Sequence, residues 1–335
     1  QWLEDQQSDK TKIWVDKQNN VSNKYLSKIP FKDQIKTRLT ELNDYENLFD
    51  FRKLGLNYIY QKNTGLQKQA VYMIRPSYEE SEGVEQVLLD PNLIDSTGKT
   101  KISLLEYSSE NGLIVVAFNE SGSDWTILKV FDINTKKFLS DEINWVKNTS
   151  VQWRYEGFYY SGYDAPPTGK EFSSVNDNQK VYFHKIGNEQ SKDVIIFEDK
   201  SNSKLFYEVI NTDDGKFQIL NKYNGTDGFE TYYRRIGYSS YLKKNNFIEL
   251  FKGFESKNKV IGSKGNDLYV LTNYQSPNYR LVAINVYQPH PDAWVEIISE
   301  KDYLLQDAKL LSGKFLALFL KNAQSELFEI ALNGT

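Results

Sequence analysis

Residues Gly112–Ile133 read GLIVVAFNESGSDWTILKVFDI. Two apolar runs, Leu113–Phe118 and Thr126–Val130, flank the polar turn Asn119–Asp124. Val, Ile, Phe and Thr crowd both runs, and turn residues bound them, so the stretch predicts strand, hairpin loop, strand. Upstream, Ile102–Tyr107 is a further apolar run, closed by Ser109-Glu110-Asn111-Gly112; downstream, Phe138–Val146 supplies a fourth. Four short antiparallel strands in about 50 residues make one unit the size of a propeller blade.

The same pattern recurs along the chain. Tyr58–Tyr60, Ala70–Ile74 and Gln86–Leu89 form an earlier unit. Later units start near 149, 206, 259 and 304, a spacing of about 45–57 residues, within reach of known blade periods. Gly-containing turns follow the first strand of many units, at Asn111-Gly112, Glu156-Gly157, Asp214-Gly215, Lys264-Gly265 and Ser312-Gly313. Such glycines are expected to supply the positive φ of tight hairpins. The alternative is a large antiparallel sandwich, which rarely repeats so regularly. The expected fold is all-β: an incomplete seven-bladed β-propeller of about six four-stranded blades. The sixth unit lacks its last strand, so an open edge and self-association are expected.

Residues 1–50 read differently. Asp5–Ser27 carries loosely spaced apolar positions with Ser8 placed to cap it, and Pro30 stops it. Phe31, Ile35, Leu39 and Leu42 lie at helical spacing. Two narrow apolar stripes of this kind need another surface to lie on. The expected division is a helical segment over 1–50 and a propeller over 51–335.

Composition excludes several function classes. Of 335 residues, 39% are hydrophobic and 14% aromatic, which supports a packed core rather than disorder. The 41 basic residues are scattered among 45 acidic ones, for a net charge of −4, so no nucleic-acid surface is expected. No apolar run approaches the roughly 18 residues of a membrane span, and no membrane partner is expected. The chain holds no cysteine and only two histidines, His184 and His290, so no thiolate or zinc pattern exists. No P-loop or dinucleotide glycine pattern occurs. Asp213-Asp214-Gly215 lacks the further spaced oxygens of a calcium loop and reads as a solvated hairpin turn. No metal or cofactor is expected.

Six motifs carry a resemblance. They are Trp2-Leu3-Glu4-Asp5, Lys62–Gln69 (KNTGLQKQ), Leu89-Asp90-Pro91-Asn92, Ser121-Gly122-Ser123-Asp124-Trp125, Asn178-Gln179-Lys180 and Asn278-Tyr279-Arg280-Leu281. In this order they resemble the prolyl oligopeptidase family of serine peptidases over nearly the whole chain. The resemblance implies N-terminal helices packed on an α/β-hydrolase peptidase domain, followed by a seven-bladed propeller. This chain then reads as a fragment or processed form, comprising the helices and most of the propeller, with the catalytic part after residue 335. The residues agree: a serine nucleophile of that architecture sits in a G-x-S-x-G elbow. Gly122-Ser123 and Gly237-Tyr238-Ser239 come closest, and both lack the closing glycine. His184 in a strand and His290 between two prolines read as structural.

The resemblance further implies a parent that cleaves short peptides after proline by serine acylation, with the propeller gating access to a buried site. The expected partners are short proline-containing peptides and the α/β-hydrolase domain of the same polypeptide. The chain alone is expected to be inactive, in a cytoplasmic or periplasmic parent. Asn148, Phe206 and Thr226 match positions that line the pocket for the residue two before the proline. That pocket is largely apolar in relatives; Phe206 fits it, whereas Asn148 and Thr226 depart from it. The plain structural readings are a blade-core aromatic for Phe206 and solvated loop residues for the other two. Tyr223 falls where some relatives carry a basic residue near the substrate. Asp124 and Trp125 at a hairpin tip, and Trp2, are expected to face the absent domain, although Asp124 also reads as a residue capping its own turn. Two other functions compete: an oligopeptidase cleaving after basic residues, and a stand-alone propeller that binds a protein partner.

Overall fold

The computed structural model describes residues 2–5, 8–76, 84–108, 110–120, 122–171, 174–226, 228–244 and 246–334. Ser109, Ser121 and Thr335, which figure in the sequence reading, lie outside the described residues. The chain divides into two compact units. The first comprises Gln1–Ser140 with Ala165–Val175, the second Asp141–Asp164 with Asn176–Thr335.

The first unit opens with a 3-10 turn, Trp2–Glu4, and two helices, α1 (Asp9–Leu26) and α2 (Lys32–Asn43). Ser8 caps α1 as expected, its side chain accepting from the Thr11 amide at 3.3 Å. The apolar positions of both helices stay exposed, among them Ile13, Trp14, Tyr25, Phe31, Ile35, Leu39 and Leu42.

Two sheets follow. The first runs in the order β1 (Asn47–Leu54), β2 (Asn57–Asn63), β3 (Val71–Arg75), β4 (Gln86–Leu89). After a short helix, α3 (Pro91–Ile94), comes the second: β5 (Thr100–Ser108), β6 (Leu113–Glu120), β7 (Thr126–Asp132), β8 (Lys137–Val146). The opening stretch is thus the β6–β7 hairpin, in register from Leu113↔Asp132 to Asn119↔Thr126. Strand β8 carries the chain into the second unit at Asp141. Ile102, Ile114, Val116 and Phe131 pack with Leu54, Ile59 and Leu88 in one core. Each such side chain contributes about 1.5–3 kcal/mol by leaving water.

The second unit holds four more sheets, each a meander. They are β9 (Gln152–Arg154), β10 (Gly157–Gly162), β11 (Lys180–Lys185), β12 (Val194–Phe197); then β13 (Phe206–Asn211), β14 (Phe217–Tyr223), β15 (Phe229–Arg235), β16 (Ile248–Phe251). Next are β17 (Asn258–Lys264), β18 (Asp267–Thr272), β19 (Arg280–Asn285), β20 (Val295–Ile298), and last the three-stranded β21 (Leu304–Leu311), β22 (Lys314–Lys321), β23 (Gln324–Ala331). So among the described residues five sheets have four strands and one has three, as the spacing of the apolar runs predicts. The second strands β6, β10, β14 and β18 are buried almost end to end. Both faces of these strands are covered, which is why they read as continuous apolar runs rather than alternating ones. Register shifts recur between the third and fourth strands of four sheets. Bulges of this kind strengthen the local twist.

Three local readings are corrected. Strand β1 begins at Asn47, before the strand-like period becomes visible at Phe51, because a register shift between Phe49 and Arg52 breaks the alternation. Gly157 does not supply a left-handed turn; Tyr155 does, at φ 49°. Gly157 is instead a point of close approach, where an added Cβ would stand 1.9 Å from the His184 carbonyl oxygen. The turn at Asp214 is not simply solvated: its carboxylate accepts from the hydroxyls of Thr212 and Ser263, each at 2.7 Å.

Candidate functional site

The candidate site lies in the second unit, where β10, β11, β13 and β14 bring their ends together. Its keystone is Gln179, one residue before β11 and only 1% exposed. The Gln179 amide nitrogen donates to the Lys147 carbonyl at 2.7 Å and reaches that of Asn148 at 3.5 Å. Its oxygen accepts from the Tyr207 amide at 2.6 Å. One buried side chain therefore joins the segment after β8 to the start of β13. A buried amide is tolerated when it is saturated in this way. The neighbouring hydroxyls extend the frame: Thr149 accepts from the Ser161 amide, and Ser161 donates to the Tyr207 carbonyl, both at 2.8 Å.

This frame places the predicted residues. Asn148 is exposed, with φ 47°, a left-handed conformation that asparagine tolerates better than most residues. Phe206 opens β13 opposite Tyr223. Their rings stack at 4.9 Å and 9°, and Phe229 packs on Tyr223 at 4.9 Å and 44°. Tyr223 donates to Glu208 at 2.6 Å; burial and then the Glu208 charge push its phenol well above the usual range. Thr226 is exposed in the turn three residues beyond Tyr223. Gln179 thus joins the backbone at Asn148 to Tyr207, the residue after Phe206, whereas Thr226 is related to Phe206 only as the third residue after its stacking partner Tyr223. An open cavity of about 400 Å³ adjoins Gln179, walled by Asp164, Lys180, Glu198, Asp199 and Lys200. Lys180 spans both oxygens of Asp164 at 2.7 Å.

In the first unit, Asp124 is exposed and has no hydrogen-bond or ion-pair partner among the described residues. It does not cap the turn; Ser123 does, its hydroxyl accepting from the Trp125 amide at 3.0 Å. Trp125 donates its indole N–H to the Glu171 carbonyl at 2.6 Å. Trp2 is 41% exposed and meets Trp14 edge to face at 6.3 Å.

Both imidazoles are bound to carboxylates. His184 lies between Asp193 and Asp141 at 2.7 and 3.0 Å, and His290 beside Asp292 at 3.3 Å. No serine hydroxyl bonds either ring among the described residues.

A family model described as the prolyl oligopeptidase N-terminal beta-propeller domain matches residues 1–334. The chain belongs to the prolyl oligopeptidase family. A prolyl endopeptidase of Elizabethkingia meningoseptica is 32% identical over 334 residues, 99% of this chain and 46% of that protein. The prolyl endopeptidase of Elizabethkingia miricola is likewise 32% identical over 335 residues, again 46% of its length. The chain therefore spans about half the length of the curated relatives it matches. A solved prolyl endopeptidase structure covers the whole chain with a TM-score of 0.88 at 24% identity, using 48% of its own length. Prolyl oligopeptidase B from Galerina marginata, bound to a 35mer substrate, covers it with a TM-score of 0.89 at 20% identity, using 49% of its own length. These likenesses establish the fold, so the sheets described above are the blades of a prolyl oligopeptidase propeller.

Sequence reasoning passed over Gln179 as an individual residue, although it sits within the motif Asn178-Gln179-Lys180. It also passed over Glu208, which no motif marks. Nothing in the sequence distinguishes a buried, saturated glutamine from a surface one.

Proposed function

We propose that this chain is the access-controlling propeller of a serine endopeptidase that cleaves short peptides after proline. The observation that carries the reading is the family match over residues 1–334, in a chain that spans 46% of its prolyl endopeptidase relatives. The remaining half of such a polypeptide supplies the α/β-hydrolase domain with its serine, aspartate and histidine, and the present chain is inactive alone. The helical segment 1–50 lies on that domain, which covers the exposed apolar positions of α1 and α2. The propeller, 51–335, admits slender peptides and turns folded proteins away.

Within this reading Phe206, with Tyr223 stacked behind it, forms the wall that meets the residue two before the proline. Asn148 and Thr226 make the rest of that wall polar. Asp124, with its carboxylate unpaired, meets a cation of the hydrolase domain, and Trp125 and Trp2 lie at the same boundary.

The test is a chimera in which this chain replaces the corresponding part of the Elizabethkingia meningoseptica enzyme. The chimera is expected to cleave a short fluorogenic peptide after proline and to leave a folded, proline-containing protein intact. The chain alone is expected to give no turnover. A chimera that folds but digests the folded protein as readily as the peptide would overturn the gating role. Turnover by the chain alone would overturn the assignment of the chemistry to another domain.

A further inference from the structure

The sheet β9–β12, together with the end of β8, contains a buried ionic cluster that the proposed function does not use. The side chains of His184, Asp141 and Asp193 are 0%, 1% and 2% exposed. His184 projects from β11, Asp141 from β8, and Asp193 from the connection between β11 and β12. The Nδ1 atom meets Asp193 Oδ1 at 2.7 Å and Nε2 meets Asp141 Oδ1 at 3.0 Å. Both ring nitrogens thus face carboxylate oxygens, a geometry that the imidazolium satisfies when both aspartates are ionised, because a neutral ring has a single N–H to donate. The remaining contacts are also donors: Tyr160 to Asp193 Oδ2 at 2.7 Å, and the Gly187 amide to Asp141 Oδ1 at 2.6 Å. The Phe158 ring packs beside the imidazole at 5.3 Å. Asp141 and Asp193 are the charged groups facing the ring, with the phenol of Tyr160 behind Asp193.

The position of Asp141 gives the cluster a mechanical meaning. It is the residue at which β8 enters the second unit. Three residues on, the Asn144 amide donates to the Gln190 side chain at 3.0 Å and the Asn144 carbonyl accepts from it at 3.0 Å. The strand then ends at Val146 and runs directly into Lys147 and Asn148, the carbonyls held by Gln179. The Asp141–Val146 half of β8 is therefore fastened at one end by the ionic cluster and at the other by the site frame.

We propose that His184 is a proton-dependent clamp. While the ring carries both protons it pins the Asp141–Val146 half of β8 to β11 and to the Gly187–Asp193 connection. When one proton leaves, one buried carboxylate loses its imidazole donor and keeps only the Tyr160 hydroxyl or the Gly187 amide, and the half-strand that delivers Asn148 is released. Burial by itself would lower the basicity of the ring, but the hydrogen bond and charge of Asp193, followed by those of Asp141, reverse this and leave its pKa raised. The sign follows from linkage. A group whose folded pKa lies above its unfolded value lends stability that is complete below about 6.5 and is lost as pH rises through the folded pKa.

The test needs no variant to begin with. The chain has two histidines, so its ring proton resonances can be followed by NMR across neutral and alkaline pH. His184 is expected to keep its charge above pH 6.5. Amide hydrogen exchange of residues 141–146, corrected for the intrinsic rate, is expected to show opening that grows about tenfold per pH unit over the same window. In His184→Gln the opening is expected to be greater at neutral pH and independent of pH. In Asp193→Asn the window is expected to move toward lower pH. A ring that loses its charge at or below pH 6.5 would overturn the clamp. So would wild-type amides in 141–146 that open with no pH dependence. If His184→Gln does not fold, the wild-type titration and exchange data decide alone.

Discussion

Gln179 shows how much of the candidate site rests on a single buried side chain. It satisfies a carbonyl on one side and an amide on the other, and no water is needed between them. Gln179→Ala would remove the hydrogen bond each group receives from this side chain and leave the buried Tyr207 amide unsatisfied, a cost of about 1–3 kcal/mol. Urea unfolding is expected to show that loss, with an unchanged denaturant slope. A loss within ±0.5 kcal/mol would mean that the Lys147–Tyr207 link is carried elsewhere. Phe206 tests function rather than stability. Its stack on Tyr223 presents an aromatic wall, and removing one ring of such a pair forfeits about 0.5–1.5 kcal/mol. In the chimera, Phe206→Ala is expected to lower kcat/KM about threefold to tenfold for a peptide that extends two residues before the proline. A peptide that stops one residue short should be cleaved as before. Equal losses on both peptides would place Phe206 in the blade core and outside the subsite. Phe206 is a candidate only through the family resemblance, which implies that it lines the pocket for the residue two before the proline. Glu208 and Gln179 are not visible, because polar residues reveal their partners only once the strands are in register.

At the scale of elements, strands were legible wherever apolar residues run together. The outer strands β4 and β12 match the expected runs Gln86–Leu89 and Val194–Phe197 residue for residue. Strand β1 was not legible, because Asp50 sits at φ 55° with Arg52 forked onto its carboxylate at 3.1 and 3.0 Å. A bulge shifts the inward-facing set by one position, so period-2 reading fails across it. The Glu156-Gly157 turn was misread for a related reason. Both a left-handed turn and a tight strand crossing call for glycine, and composition does not separate them. The structure does: Gly157→Ala would drive a methyl group against the His184 carbonyl, whereas an added Cβ at Gly265 meets nothing within 4 Å. Gly157→Ala is expected to destabilise by about 1–3 kcal/mol or more through backbone displacement. Gly265→Ala is expected to cost about 1 kcal/mol, from its φ of +65° alone. Thermal unfolding of the two variants, measured side by side, checks the order. A larger cost at Gly265 would reverse the assignment.

At the scale of the molecule, the last sheet departs from the plan of the other five. Among the described residues it stops at β23, which pairs with β22 along Gln324–Ala331 and leaves its far edge open. An eight-residue edge presents a row of unpaired amides and carbonyls, a template for another strand. Two features make this edge less guarded than most. Leu327 and Phe328 are 66% and 45% exposed, and no proline or bulge interrupts the pairing. The outer strands of the other sheets β1–β4 and β9–β20 are only four residues long, which limits such templating. The isolated chain is therefore expected to associate edge to edge as its concentration rises, with sedimentation velocity showing growth of dimer and larger species. Phe328→Lys places a charge on the open strand and is expected to restore the monomer at a modest cost in melting temperature, because the ring it removes packs edge to face on the buried Phe319 at 5.6 Å. The exposed stripes of α1 and α2 offer a competing contact. Ile35→Lys with Leu39→Glu, on that surface alone, separates the two causes. If the helix variant disperses the chain and Phe328→Lys does not, association runs through the helices. If the wild-type chain stays monomeric at high concentration, the edge of β23 is protected, and the open-sheet account of this molecule fails.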